Sequence, residues 1–162
     1  DAEVSLRAPD RERTLPLRSL YLGYKQLALE DDEIFSSFAI PLEPGDVRVH
    51  LEKVSKRTCL DIASVNSAIK LQLDGRTIRS ASLSMGGVAP VPKWLAGAGE
   101  FLTGRRIDAG LVRELQDRME AEISPMDDIR GSAGYKRLLA RQLAAAHFVV
   151  LCPEWVDVGA FV

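Results

Sequence analysis

The side chains best suited to chemistry in this sequence are few and dispersed. Two histidines, His50 and His147, stand far apart without a partner at ligand spacing, whereas a metal asks for several ligands converging on one point. A surface or packing role is expected for both, and no metal site. The two cysteines, Cys59 and Cys152, lack the short spacings of zinc sites and redox pairs, so they read as reduced thiols of a cytoplasmic protein. The serine-rich run Ser80–Ser84 has no Gly-x-Ser-x-Gly elbow to expose a nucleophile at a strand-to-helix turn, which argues against hydrolase chemistry. No catalytic residue is assigned.

Three segments could concern an anionic ligand or the start of a helix. Gly86-Gly87 precedes a helical stretch and can offer backbone N–H groups to a phosphate; the same pair can serve only to turn a strand sharply into that stretch. Lys53-Val54-Ser55-Lys56-Arg57 gathers cations at a strand end, able to hold an anion by charge-assisted hydrogen bonds or simply to stand in solvent. Asp127-Asp128-Ile129-Arg130-Gly131-Ser132 sets acids near the positive end of a helix dipole, which capping alone explains.

The elements that must position these residues follow from periodicity. Glu3–Ala8 and Arg13–Leu17 flank the turn pair Pro9-Asp10 and predict a hairpin. Apolar residues cluster over Leu20–Leu29, and the four acids Glu30–Glu33 read as a solvated connector. Ile34–Ile40 and Val47–Val54, separated by Pro44-Gly45, suggest an antiparallel pair, the second alternating Val47, Val49, Leu51 against Arg48, His50, Glu52. Val65, Ile69, Leu71 and Leu73 share one parity before Asp74-Gly75, and an extended run continues to Met85, a strong hairpin signal.

Helical texture begins after the glycine pair. Pro92 fits a first turn ahead of Leu95, Ala98 and Leu102, with Gly104 as the stop. Asp108 caps a second helix carrying Leu111, Leu115, Met119 and Ile123 up to Pro125. Ser132 caps a third, in which Tyr135, Leu138, Leu139, Leu143, Ala146 and Val150 are expected to face the core, ended by Pro153. Strands followed by helices give an α+β fold, an antiparallel sheet packed against three helices.

Composition bounds the rest. The 162 residues, 46% apolar and 27% charged, suit a compact globular chain without staples. Twenty-one Lys and Arg against 23 Asp and Glu leave a formal charge of −2 without a long run of like charge, which gives no support for nucleic acid or an anionic membrane surface as partner. No apolar stretch reaches the roughly 20 residues of a membrane-spanning helix.

Several of these segments together resemble one family, the flavoprotein subunit of the molybdenum hydroxylases, of the xanthine dehydrogenase and carbon monoxide dehydrogenase type. The resemblance runs through Leu15-Pro16-Leu17, Leu22-Gly23-Tyr24-Lys25, Glu33-Ile34, Ile40-Pro41, the Lys53–Arg57 cluster, Asp61-Ile62-Ala63 with Val65-Asn66, Gly86-Gly87-Val88-Ala89-Pro90, and Asp128–Ala133 with Tyr135-Lys136-Arg137. It implies that residues 1–42 are the end of a truncated FAD-binding domain and 43–152 a C-terminal α+β domain, leaving 153–162 as a tail. It also implies an oxidoreductase role, in which electrons from a molybdenum cofactor pass through iron–sulfur clusters in partner subunits to FAD and then to an acceptor such as NAD.

Carried over by position, Lys53 matches a lysine that approaches the FAD, and Phe35 falls where a main-chain contact to the flavin is made. Asp61 and Asn66 brace the strand that places Lys53 or are purely structural, and Asp128 with Arg130 braces a helix start. The glycine-rich pyrophosphate loop of the family has no counterpart here, so a fragment of a longer protein is expected, inactive alone and holding FAD weakly or not at all. The second reading is a non-catalytic module that docks the molybdenum or iron–sulfur component.

Overall fold

A computed structural model describes residues 2–42 and 44–161 of the chain. Two compact units divide it, Asp1–Pro44 and Gly45–Val162; residue 43, where the second domain is expected to begin, lies outside the described residues, as do residues 1 and 162.

In the first unit, β1 (Glu3–Arg7) and β2 (Glu12–Pro16) form the hairpin expected around Pro9-Asp10, with Val4 opposite Leu15 and Leu6 opposite Arg13. Two short strands, β3 (Tyr21–Gly23) and β4 (Gln26–Leu27), pair with each other. Strand β5 (Ile34–Ala39) lies along the free side of β1, giving the order β2-β1-β5. This corrects the expected pairing of β5 with the strand after Pro44, since β5 finds its partner inside its own unit. Val4, Leu6 and Leu20 form the small core, with Leu15, Leu17 and Leu29 against it.

Of the four acids before β5, residues 30–32 are exposed, as a solvated connector would have them, but Glu33 is not. The Glu33 side chain is fully enclosed. Its two carboxylate oxygens accept from Arg13 Nε and a terminal guanidinium nitrogen, each at 2.7 Å, and the Glu30 N–H donates to it at 2.9 Å. Arg11 grips Asp32 in the same two-pronged way, at 2.9 and 2.7 Å. Such forked pairs fix orientation as well as charge. Chiefly through the Arg13 hydrogen bonds, the Glu33 carboxyl is held at about 2. A carboxyl depressed on folding contributes stability above its ordinary range and loses it as pH falls through the folded value. Glu33→Gln is therefore expected to lower the thermal midpoint of the first unit at pH 7 and to narrow the gap to wild type below pH 4.5; a gap of constant size across that range would contradict the assignment.

The second unit is built on a four-stranded antiparallel sheet in the order β6-β7-β8-β9: β6 (Asp46–Val54), β7 (Val65–Asp74), β8 (Thr77–Gly86) and β9 (Lys93–Trp94). The β7–β8 hairpin turns at Asp74-Gly75, where Gly75 takes a φ of +55° that a side chain would resist. Val65, Ser67, Ile69, Leu71 and Leu73 all point into the core from β7. Because β6 pairs with β7 as Arg48↔Leu71, His50↔Ile69 and Glu52↔Ser67, the polar parity of β6 is carried to the same inner face. Val49 and Leu51 are left exposed. The face of β6 is thus the reverse of what apolar alternation alone suggests, because the neighbouring strand's register outweighs the local pattern.

Three helices cover that inner face: α1 (Ala96–Leu102), α2 (Ala109–Met119) and α3 (Ala133–Leu151). The fold is the expected α+β class. Helix α1 starts later than Pro92 implies, since Lys93 and Trp94 join the sheet beside Met85 and Ser84, and Leu95 N–H donates to Leu83 O at 2.9 Å. Glu122 then accepts from the N–H groups of Gly97 and Ala98 and so serves the start of α1. Asp108 and Ser132 cap α2 and α3 as expected, accepting from Leu111 N–H and Tyr135 N–H. Helix α2 stops at Met119 rather than near Pro125, leaving Ile123 buried in the connector.

In α3 the core face is Lys136, Ala140, Leu143, Ala144, Ala145, His147 and Phe148, whereas Tyr135, Leu138 and Val150, expected inside, are exposed. After Leu151 the chain stays with this unit, and Trp155, Val156 and Phe161 pack on its core.

Candidate functional site

The outward parity of β6 ends at Lys53, opposite Asn66 of β7. Asn66 Oδ1 accepts from Gly86 N–H at 3.1 Å and ties β7 to the end of β8. Beyond Lys53 the loop 55–63 leaves the sheet and returns through a narrow neck, where Ser64 N–H donates to Val54 O at 2.8 Å. Within the loop, Lys53 Nζ donates to Asp61 O at 2.7 Å, and the Arg57 guanidinium donates to Leu60 O at 2.9 Å. The Asp61 carboxylate accepts from the N–H groups of Arg57 and Ile62, both at 3.0 Å. Those backbone donors, with the nearby Arg57 guanidinium, hold its carboxyl below the usual carboxylate range.

The segment before α3 forms the other lip. Lys56 Nζ donates to Ile129 O at 2.6 Å, and the buried Ser64 donates its hydroxyl to Arg130 O at 2.8 Å. Asp128 Oδ1 accepts from Arg130 N–H, and its other oxygen meets Lys136 Nζ, each at 2.8 Å. Lys136, buried in the first turns of α3, also donates to Met126 O at 2.8 Å. Its ammonium is the main reason that the Asp128 carboxyl is held down.

Between these lips lies a groove of about 630 Å³ lined by Lys53, Lys56, Arg57, Leu60, Asp61, Ile62, Ile129 and Arg130. Four cations face one carboxylate in that lining, while Leu60, Ile62 and Ile129 are 94%, 67% and 82% exposed. Such a surface suits a ligand that is anionic at one part and flat and apolar at another.

Of the positions singled out by sequence, Lys53, Lys56, Arg57, Asp61 and Arg130 come together here. Phe35 lies on β5 of the first unit, opposite Leu6, with its ring against Phe38 at 6.1 Å between centroids. Gly86 already has its N–H on Asn66, and Gly87 takes a φ of +83° tight against the Ser64 carbonyl; the pair serves the turn. Ile129, an ordinary aliphatic, is not legible in the sequence as part of the groove lining, nor is Lys136, a lysine that reads as solvated, as the buried brace of Asp128.

Among the described residues no group of three or more His, Cys, Asp and Glu could hold a metal ion, and no helix is long and apolar enough to cross a membrane. Both cysteines are free, Cys59 exposed and Cys152 buried, with burial pushing the Cys152 thiol up to about 11.

Residues 51–149, which contain the whole groove, match the CO dehydrogenase flavoprotein C-terminal domain. The chain belongs to that family. Among curated relatives of this flavoprotein domain, the carbon monoxide dehydrogenase medium chain of Afipia carboxidovorans is 30% identical over 139 residues, covering 86% of this chain and 48% of its own length. The xanthine dehydrogenase FAD-binding subunit of Escherichia coli O157:H7 is 22% identical over 156 residues, with 90% and 53% covered. Carbon monoxide dehydrogenase from Hydrogenophaga pseudoflava, solved in a form lacking the Mo-pyranopterin moiety of its molybdenum cofactor, superposes with a TM-score of 0.83 at 26% identity, over 88% of this chain and 50% of that one. The chain therefore spans about half the length of these relatives.

Proposed function

We propose that this flavoprotein domain lends a cationic wall to an FAD whose remaining contacts lie elsewhere in the protein, within the electron-transferring component of a molybdenum hydroxylase. The observation that carries the reading is the convergence of Lys53, Lys56, Arg57 and Arg130 around exposed Leu60, Ile62 and Ile129. The donor set fits the cofactor: four cations match phosphate or an electron-rich ring edge, and the aliphatic side chains match a planar ring. When bound, FAD would take electrons delivered from iron–sulfur clusters and pass them to an acceptor such as NAD.

The chain's own residues bind and orient. Lys53 holds a positive charge at the groove floor, kept in place by Asp61 O and by the β6–β7 ladder. Arg130 is set by Asp128 and Ser64, so its guanidinium is presented from a fixed backbone. Phe35 would act through its main chain, which makes its side-chain identity secondary. In the same reading the first unit is the end of the FAD-binding part and the second is the C-terminal domain.

Lys53→Ala in the full-length flavoprotein is expected to weaken FAD binding about tenfold, the loss of one charge-assisted contact, with Lys53→Arg recovering part of it and subunit assembly intact. Flavin content after desalting and fluorescence titration of the apoprotein measure it. Unchanged FAD affinity together with lost assembly would instead support the docking-module reading.

A further inference from the structure

Inverting β6 places His50 against α3, where its Nδ1 lies 2.8 Å from Nδ1 of His147, the rings meeting edge to face at 5.0 Å. His147 is fully buried, and its other nitrogen, Nε2, lies 2.8 Å from Ser67 Oγ. The remaining groups that face the pair are Glu52 on β6, 3.8 Å from His50 Nε2, and Ser67 on β7. Arg48, one step along the same face of β6, is engaged by Glu154 and Asp46 beside the end of α3.

Two imidazole nitrogens at hydrogen-bond distance need one N–H and one lone pair between them. The neutral pair satisfies this, and so does a pair carrying one extra proton, with the charge on His50 toward Glu52 and the His147 Nε2–H on Ser67. A second extra proton sets N–H against N–H inside a buried contact, and the rings must part.

We propose that the His50–His147 contact is an acid-operated clasp, which holds edge strand β6 and its Lys53 against α3 and lets the strand go when the pair takes up its second proton. Burial and the neighbouring ring hold His147 down at about 4, which agrees with that geometry. Strand β6 is the element free to open, because among the described residues it is bonded on one side only and its inward residues include Arg48, His50 and Glu52 rather than an apolar row. For its bearing on the nucleotide the clasp rests on the reading of Lys53 given above.

Hydrogen-exchange mass spectrometry on the full-length flavoprotein stripped of FAD tests it without flavin, so the two readings fail separately. With intrinsic rates corrected, the opening constant of residues 46–54 is expected to rise by about tenfold per pH unit from about 6.5 down to about 4, the signature of one linked proton, while residues 65–86 keep their protection. His147→Gln should remove that slope, and His50→Gln, which takes away only the opposing ring, should reduce it. Nitrogen-15 imidazole spectra of the wild type provide a check that needs no variant: full protonation of the second ring should coincide with the loss of β6 protection. A flat profile for residues 46–54, an equal loss over residues 65–86, or the same slope in either variant would overturn the clasp.

Discussion

Gly87→Ala is expected to destabilise the second unit by about 3 kcal/mol. The position has a φ of +83°, and a Cβ there would stand 2.3 Å from the Ser64 carbonyl oxygen and 3.2 Å from its carbon. Left-handed backbone alone costs a non-glycine residue roughly 1–3 kcal/mol, and the contact cannot relax cheaply. Ser64 is fixed by its N–H on Val54 O and its hydroxyl on Arg130 O, so yielding would disturb both lips of the groove. Gly134 is the internal control. It lies in the first turn of α3, where an added Cβ would meet nothing within 4 Å, and Gly134→Ala should stabilise by about 0.5–1 kcal/mol. Urea unfolding of both variants measures the contrast, and a Gly87→Ala protein within about 0.5 kcal/mol of wild type would mean that Ser64 moves freely.

The second large effect separates two neighbours on α3. Phe148 is 0% exposed at the centre of the core, whereas Val150 is 55% exposed. Phe148→Ala removes a buried ring and leaves a cavity, at an expected cost of about 3–5 kcal/mol; Val150→Ala should stay within about 0.5 kcal/mol. Denaturant midpoints at unchanged m-value decide it. Comparable losses in the two variants would show that the helix is rotated from the position described.

That contrast also marks where sequence reasoning reaches its limit. Local signals suffice for the β7–β8 hairpin, where Asp74-Gly75 and strict alternation agree, and for the caps Asp108 and Ser132. They do not fix the phase of α3, because its buried stripe includes Lys136 and His147, two residues that a hydrophobic pattern assigns to solvent. Each is inside because it has a specific partner, Asp128 and Met126 O for one, His50 and Ser67 for the other, and a partner distant in sequence leaves no periodic trace. The face of β6 escapes the local pattern for a related reason, its register being imposed by β7. Glu33 looks solvated for want of Arg13, which approaches from the preceding hairpin. Of the groove, the cluster Lys53–Arg57 is visible as charge, but its union with residues 129 and 130 depends on Lys56 and Ser64 reaching main-chain oxygens across the fold.

The neck between Val54 and Ser64 carries a consequence for how this domain tolerates change. A single backbone hydrogen bond closes the loop at its base, so the strands on either side do not sense how many residues hang beyond it. Chain length around Thr58 and Cys59 can then vary at little thermodynamic cost, reshaping the rim that a bound molecule meets while the ladder below keeps its alignment. Diversity among related chains should accumulate there first, and a short epitope spliced between those two residues should leave the fold standing.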